Sequence, residues 1–163
     1  QLFSTPVGRL EVILGKLAPY VVQGMVQVLL VVTMGTVLFG VPVRGSLWLL
    51  FGAALLFLVG MLGQGLFISV ATRNQQVATQ IGFVTSMLPT LLLSGFMFPV
   101  ANMPVPLQVL SAVIPSRYFI VVLRGVLLKG NGVDVLWPEL MALGVFALVM
   151  IGLSSARFKR RLD

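Results

Sequence analysis

The sequence predicts an all-α membrane protein, and its long charge-free stretches are the reason. Residues 17–43 and 45–72 carry no charged side chain for 27 and 28 positions, and residues 74–116 carry none for 43. A fourth stretch, residues 140–156, is free of charge for 17 positions and ends at a cationic tail. A transmembrane helix needs about 20 consecutive apolar residues to cross a hydrocarbon core of about 30 Å. We therefore expect a polytopic helical protein that is solvated by lipid.

The overall composition supports the same class. Hydrophobic residues make up 58% of the chain and charged residues 9%, with a mean hydropathy of +1.08, whereas a soluble domain is about 25% charged. A net charge of +7 favours nucleic acid as the partner of a soluble protein, but here the cations flank apolar stretches. We therefore expect a lipid bilayer as the partner, and no nucleic acid.

The residues that usually perform acid–base chemistry or hold metals are scarce. The chain has no Cys and no His, and its carboxylates are Glu11, Asp134, Glu139 and Asp163. General acid–base catalysis and metal binding depend on these residue types. We predict no catalytic residue, no metal site and no cofactor bound by this chain.

Four membrane spans are predicted within one transmembrane domain, residues 1–163. They lie at residues 20–39, 47–70, 77–98 and 138–156. Small residues let helices approach closely in lipid, and the second span contains Gly52, Gly60, Gly63, Gly65 and Ser69. One face of that span should pack against another helix. Pro89 should kink the third span, because proline removes a backbone hydrogen bond. In the last span, Pro138 and Glu139 should form the first turn.

Residues 5–17 are predicted to form an amphipathic helix on the membrane surface. Thr5, followed by a proline, is typical of a helix start. Apolar residues then recur at helical spacing, while Arg9 and Lys16 share another face and Glu11 lies between them. Pro19 should separate this helix from the first span.

A re-entrant helical hairpin is predicted at residues 103–128. The prolines Pro99, Pro104, Pro106 and Pro115 break the apolar run into pieces that are too short to cross the bilayer twice. Ser116 should cap the second of these short helices. Irregular backbone at membrane depth is tolerated only where protein buries it or where it lines a water-filled cavity. The hairpin is therefore the segment that most strongly suggests function.

Polar side chains within these segments are the remaining candidates. Arg117 and Arg124 are seven residues apart and share a helix face; they either anchor the hairpin near the interface or meet an anionic substrate or headgroup. Tyr118 is expected as an amphipathic anchor. Gln23 and Gln27 in the first span and Gln64 in the second should face the bundle interior. There they either hold helices together, which we favour, or touch a pathway. The polar candidates within the spans and the hairpin are thus Gln23, Gln27, Gln64, Arg117, Tyr118 and Arg124.

The distribution of cations predicts the orientation. Four spans and a re-entrant hairpin place both ends of the chain on one side. That side carries Arg9, Lys16, Arg73, Arg157, Lys159, Arg160 and Arg161, and the other carries Arg44, Arg117, Arg124 and Lys129. The positive-inside rule then places both termini in the cytoplasm.

A nucleotide site is not predicted. Gly8 and Gly15-Lys16 have six residues between the glycines and a leucine after the lysine, whereas a P-loop needs four residues and a Ser or Thr. Any ATP must therefore be bound by a partner. The chain begins with Gln1 and lacks signal-peptide features, so we expect it to be a piece of a longer protein.

A resemblance to a known family covers the whole chain in order. The segments that carry it are Ser4-Thr5-Pro6-Val7, Gly15-Lys16, Ser94-Gly95-Phe96-Met97-Phe98-Pro99, Asn102-Met103-Pro104, Ile114-Pro115-Ser116-Arg117-Tyr118, Leu123-Arg124-Gly125 and Lys129-Gly130. Together they closely resemble the signature of the ABC type 2 transporter permeases, and in particular bacterial inner-membrane exporters of drugs or other small molecules.

This resemblance implies a non-enzymatic permease subunit with six spans when complete. The present chain would supply spans three to six, with the hairpin on the extracytoplasmic side. Residues 5–17 would contact a separate cytoplasmic ATPase that binds ATP and Mg, and a second permease chain, identical or different, would complete the pathway. The exported substrate would be drug-like or otherwise small and amphipathic.

Two other function classes stay open from the residues alone. An ion-coupled carrier or channel needs a carboxylate or His within a span as a proton or cation site, and none is expected in the clear interior of any span. An enzyme acting on lipids within the membrane needs a His, a Cys or paired carboxylates, and no convincing set is present.

Overall fold

The computed structural model describes the backbone of residues 8–162 and the side chains of residues 8 and 11–157. Within that part of the chain the secondary structure is helical, without strands. The helices are α1 (Arg9–Leu38), α2 (Leu47–Ala71), α3 (Gln75–Leu93), α4 (Val105–Ser111), α5 (Pro115–Arg124) and α6 (Val133–Leu162). A 3-10 turn, Val100–Asn102, precedes α4, and a π-helical segment, Gly125–Lys129, extends α5. Four helices, α1, α2, α3 and α6, are long and apolar enough to cross a bilayer, which confirms the predicted class.

Helix α1 differs from the sequence prediction. It runs without a break through Pro19, so the predicted surface helix and the first span are one element. In lipid, neighbouring groups satisfy the backbone around a helix proline, and such prolines are tolerated. Gly8 is extended and marks the start of the helix, and its backbone N–H donates to Glu11 Oε2 at 3.3 Å. The predicted cap, Thr5, lies outside the described residues.

Helices α2 and α6 pack closely and run parallel. A Cβ at Gly60 would lie 2.7 Å from Phe146 Cδ1, and one at Gly63 would lie 3.2 Å from Met150 Cβ. The Ser154 hydroxyl is buried and donates to the Gly63 carbonyl at 2.8 Å. Two of the small residues predicted to pack against another helix therefore do so.

The other small residues of the second span do not pack in this way. A Cβ at Gly52 or Gly65 would meet nothing within 4 Å, and Ser69 is exposed. The predicted packing face is therefore correct for its middle part and too wide at both ends.

The apolar core lies where α5 enters between α2 and α6. Its buried members are Leu50, Ala53, Val122, Val126, Leu136 and Leu143. Phe57 of α2 stacks on Phe119 of α5, with ring centroids 4.8 Å apart and planes 9° from parallel. The Gly45 N–H also donates to the Val126 carbonyl at 2.8 Å. The start of α2 thus lies beside the end of α5 at Gly45 and Val126, and Phe57, further along α2, lies beside Phe119, nearer the start of α5. Helix α5 is therefore antiparallel to α2.

Two spans have bounds that differ from the predicted ones. Helix α3 ends at Leu93, five residues before predicted, because Gly95 turns the chain with φ +86, a conformation that strongly favours glycine. Helix α6 begins at Val133, five residues before predicted, with Asp134 as the acidic residue of its first turn. Pro138 and Glu139 therefore lie inside α6 and not in its first turn.

The predicted hairpin is a right-angle corner. The axes of α4 and of α5 with its π-helical extension differ by 83°, so the two short helices do not fold back on each other. Pro115 is the first residue of α5, and Ile114 before it is extended, as expected for a residue that precedes proline. Ser116 is therefore inside α5 and not its cap.

The bundle has two ends of different character. We call the end where α1 and α3 begin and α2 and α6 end the terminal side, and the opposite end the corner side. Helices α1 and α3 lie at the periphery: α3 has no buried residue, and α1 contacts α2 where Gly24 meets Leu58. Much apolar surface of this chain therefore faces lipid or other protein segments.

Candidate functional site

The re-entrant corner lies well below the corner side of the bundle. Val126 is held beside Gly45, just before α2 begins. Arg117 precedes Val126 by nine residues of helix, so at about 1.5 Å per residue it lies about 13 Å deeper. Helix α2, with 25 residues, is about 37 Å long by the same rule. Arg117 therefore lies about a third of the way along α2.

The Arg117 guanidinium spans the corner between α5 and α4. Its Nη1 donates to Ser111 Oγ at 2.9 Å and to the Gln108 carbonyl at 3.4 Å. Ser111 is fully buried, and its hydroxyl donates to the same carbonyl at 2.7 Å. The guanidinium carbon lies 5.9 Å from the centroid of the Tyr118 ring. Within the described residues this cation is therefore held by neutral acceptors and an aromatic ring.

A chain of hydroxyl groups joins the corner to α3. The oxygens of Thr90 and Ser116 are 2.7 Å apart. The Thr90 hydroxyl donates to the Ser86 carbonyl at 2.5 Å, so Ser116 must be the donor to Thr90. The Ser94 hydroxyl donates to the Thr90 carbonyl. We call Thr90, Ser94, Gln108, Ser111, Ser116 and Arg117 the corner network.

Other side chains complete the bonding of the irregular backbone between α3 and α5. Arg124 Nη2 donates to the Gly95 carbonyl at 3.4 Å, Gln108 Nε2 donates to the Met103 carbonyl at 2.9 Å, and the Tyr118 hydroxyl donates to the Ala112 carbonyl at 2.5 Å. These bonds meet the requirement that non-helical backbone at membrane depth be satisfied by protein. Arg117 and Arg124 reach segments that precede α5, consistent with the predicted shared face.

Three of the four predicted prolines stand at the start of a local element. Pro99 precedes the 3-10 turn, Pro104 precedes α4, and Pro115 is the buried first residue of α5. Proline lacks the N–H that would be unpaired at these positions. These three prolines divide the segment as the sequence predicted, whereas Pro106 lies within the first turn of α4.

An apolar groove lies beside the corner network. It has a volume of about 680 Å³ and separates α3 from the segment that leads into α4. Its lining includes Leu88, Leu92, Phe98, Met103 and Leu107, with the Asn102 amide as a polar group. A mostly apolar cavity with few polar groups is typical of sites for small amphipathic molecules.

The residues predicted to form a coupling helix lie at the opposite end of the bundle. Arg9, Glu11 and Lys16 occupy the first turns of α1, and the Glu11 and Lys16 side chains are exposed. The Arg9 side chain is outside the described set. The structure does not bring these residues near the corner network, and their role in coupling stays a prediction.

The three glutamines do not form one group. Gln23 and Gln27 are exposed on α1, whereas Gln64 is half-buried in α2. Gln23 and Gln27 therefore do not face the interior of the helices that this chain supplies, and their role in helix packing or in a pathway stays a prediction. Their peripheral position follows from Gly24, which is the residue of this turn that packs on α2.

Sequence reasoning missed the hydroxyl chain and the environment of Glu139. Thr85, Ser86, Thr90 and Ser94 form a run of hydroxyl residues in the third span, and this run is the signal that indicates such a chain. Glu139 Oε2 is buried without a hydrogen-bond partner among the described atoms. No group of three or more metal-ligating side chains occurs among the residues that the structure describes.

Comparison with known proteins identifies the family. The family model described as "ABC-2 family transporter protein" matches residues 1–156. The chain belongs to the ABC-2 transporter family. This agrees with the motifs of the Ser94–Pro99 region and with the proline-broken segment after it.

Three relatives from Escherichia coli K12 match nearly the whole chain. The probable multidrug ABC transporter permease YbhS is 42% identical over 162 residues, which cover 99% of this chain and 43% of YbhS. The probable multidrug ABC transporter permease YbhR is 32% identical over 161 residues, covering 99% of this chain and 44% of YbhR. The inner membrane transport permease YhhJ is 26% identical over 167 residues, covering 98% of this chain and 43% of YhhJ. The chain thus spans less than half the length of these relatives. No solved structure matches it.

Proposed function

We propose that this chain is part of the membrane-spanning permease subunit of an ATP-driven exporter. Family membership, four candidate spans and relatives named as multidrug or inner-membrane transport permeases support this function. The chain lacks a P-loop, so ATP and Mg would bind a separate cytoplasmic ATPase. The chain would lie in the inner membrane, and by the positive-inside rule its terminal side would face the cytoplasm.

The corner network is the observation that carries this proposal. It joins α3 to α4 and α5 at a depth where irregular backbone is found only when it is buried in protein or lines a cavity. The corner would roof the outer end of the export pathway. A shift of α3 would pass through the bond between Thr90 and Ser116 to the corner, which Arg117 holds as one unit. A substrate would bias this movement by binding the two states differently.

Coupling to the ATPase would begin at the first turns of α1. Because α1 continues through Pro19 without a break, a push on Arg9–Lys16 would move the whole span and would not be absorbed by a hinge. The exposed faces of α1 and α3 leave surface for a second permease chain and for the remainder of a longer subunit. The apolar groove with the Asn102 amide suits a small amphipathic substrate.

Replacing both arginines of the corner tests the proposal. In the complete transporter, the Arg117→Leu, Arg124→Leu variant loses hydrogen bonds from charged donors to Ser111, Gln108 and Gly95. A bond from a charged donor contributes about 1.5–3 kcal/mol, and its loss shifts the balance between two states of the corner when it is made in only one of them. Because about 1.4 kcal/mol corresponds to tenfold, export per folded protein should fall by about tenfold or more.

The matched control is the Arg44→Leu, Lys129→Leu variant, which removes two exposed cations from the same side of the bundle. Its export should stay close to that of the wild type. Vesicle transport assays normalised to folded protein provide the measurement. Full export by the Arg117, Arg124 double variant would contradict a gating role for the corner.

Glu139 supports one alternative function. An ion-coupled carrier needs a titratable group inside a span, and Glu139 is the seventh residue of α6 with a buried, unpartnered oxygen among the described atoms. For an ATP-driven exporter, Glu139→Gln should leave ATP-dependent export within about twofold, since the amide keeps the shape of the side chain. Transport without the ATPase that responds to a proton gradient and disappears in Glu139→Gln would favour the carrier.

A further inference from the structure

Two adjoining cavities open on the terminal side of the bundle. The larger, about 730 Å³, lies between the first turns of α1 and the second half of α2. The smaller, about 480 Å³, lies between the end of α2 and the start of α3. Gly65 and Ser69 line both cavities. The two therefore form one cleft, which we call the terminal cleft.

Small residues on α2 keep the terminal cleft open. A Cβ at Gly65 would meet no atom within 4 Å, and Ser69 is exposed. Helices α1 and α3 flank these two residues. The cleft therefore has room for a chain-like ligand lying against α2 between its neighbours.

The lining changes from apolar to polar along the cleft. The part between α1 and α2 is lined mainly by apolar residues, among them Leu17, Met61, Leu62 and Leu66, and Lys16 lies at its edge on α1. The part toward α3 is lined by Thr72, Arg73, Asn74, Gln75 and Thr79. The cleft is thus amphipathic along its length.

Charge in the terminal cleft has one sign. Lys16 and Arg73 line it, and neither cavity has an Asp or Glu in its described lining. A lysine ammonium carries three donors, so Lys16 can bind an anionic oxygen in addition to any other contact that it makes. Lys16 in the part between α1 and α2 and Arg73 in the part toward α3 therefore make the cleft as a whole complementary to an anion.

The depth of the cleft matches the boundary between acyl chains and headgroups. Helix α2 ends at Ala71, so Gly65 lies about 9 Å inside that end and Arg73 lies beyond it. Basic pockets between transmembrane helices at this level are known to bind anionic headgroups.

We propose that the terminal cleft binds an anionic phospholipid. Its phosphate contacts Lys16 and Arg73, and an acyl chain lies against Met61, Leu62 and Leu66. A free phosphate ion would leave the apolar part of the cleft unused, so the lipid is the occupant that fits both parts. The site is separate from the corner network and does not depend on the direction of transport.

The test uses the full-length permease in nanodiscs of phosphatidylcholine that contain a minor fraction of phosphatidylglycerol. Native mass spectrometry of the released protein measures the phosphatidylglycerol that stays bound. Wild type should retain phosphatidylglycerol in preference to phosphatidylcholine. The Lys16→Gln, Arg73→Gln variant should bind it about 30-fold more weakly, from about 1 kcal/mol for each cation.

Two further variants separate shape from charge. Gly65→Phe fills the floor of the cleft without changing charge and should also lose the lipid. Arg44→Gln with Lys129→Gln removes two cations from the corner side and should retain it. If Gly65→Phe does not fold, the Lys16, Arg73 variant still decides the question.

Several different results would overturn the proposal that the terminal cleft binds an anionic phospholipid. Equal retention by wild type and the Lys16, Arg73 variant overturns the proposal, as does retention by a folded Gly65→Phe. A wild type without preference for phosphatidylglycerol also overturns it. Displacement of the lipid by millimolar inorganic phosphate would assign a phosphate-ion site instead, whereas persistence of the bound lipid supports the proposal.

Discussion

The pair formed by α2 and α6 and the re-entrant corner are held together by different forces. The pair is joined by close approach at Gly60 and Gly63, in a setting where lipid is as apolar as the helices and packing drives association. The corner is joined by hydroxyl, amide and guanidinium hydrogen bonds around Arg117. Regular helices therefore need only matching shape to associate in lipid, whereas broken backbone also needs polar partners.

This contrast predicts that changes in the pair act on stability and that changes in the corner act on export. A close-packed parallel pair is suited to serve as a frame, because Gly60 and Gly63 already lie against α6. The corner has bonds that can open and re-form, which suits a moving part. Variants in the two regions can confirm or contradict this division between a frame and a moving part.

The largest expected effect is in the pair. Gly60→Val places a Cβ 2.7 Å from Phe146 Cδ1 and 3.4 Å from the Ala147 Cα, so the Phe146 ring or the helix that carries it must shift. The loss of folding free energy should be roughly 1–3 kcal/mol. Gly52→Val is the matched control, because a Cβ there meets nothing within 4 Å. Unfolding in detergent mixtures measures both variants, and equal stability of the two would contradict close packing at Gly60.

The next effect concerns the bond between α3 and α5. Thr90→Val and Ser116→Ala each remove the hydroxyl contact, and a double-mutant cycle isolates its coupling energy, expected at about 0.6 kcal/mol and up to about 1.7. Stability should fall only modestly, but export per folded protein should fall as well, because the bond transmits movement from α3 to the corner. Thr85→Val is the control, because its hydroxyl bonds within α3. Export that tracks stability alone in all variants would make the bond structural.

The smallest effect is expected at Ser154. Ser154→Ala removes its bond to the Gly63 carbonyl, but that carbonyl keeps its helical hydrogen bond, so the stability loss should be about 0.6 kcal/mol. Export per folded protein should not change. A selective loss of export in this variant would remove the distinction between a static pair and a moving corner.

Much of the fold could be predicted from the sequence. Charge-free stretches indicated all four spans, because the bilayer sets a length and a polarity that any spanning helix must meet. Pro99, Pro104 and Pro115 indicated where the apolar run breaks, since proline has no N–H to donate. The spacing of Arg117 and Arg124 indicated a shared face. These features are local, so residue type and spacing determine them.

Other features depend on contacts between residues that are far apart in the chain. Which helix faces which decides three of them. Helix α1 continues through Pro19, close packing occurs at Gly60 and Gly63 and not at Gly52 and Gly65, and Thr90 pairs with Ser116. The depth of Arg117 depends on the hydrogen bond that joins Val126 to Gly45. Residue type alone thus establishes that helices cross the membrane and where they break, because the bilayer acts on every residue alike. Helix pairing is established only in the folded bundle, because in lipid several apolar faces can associate and long-range contacts select one.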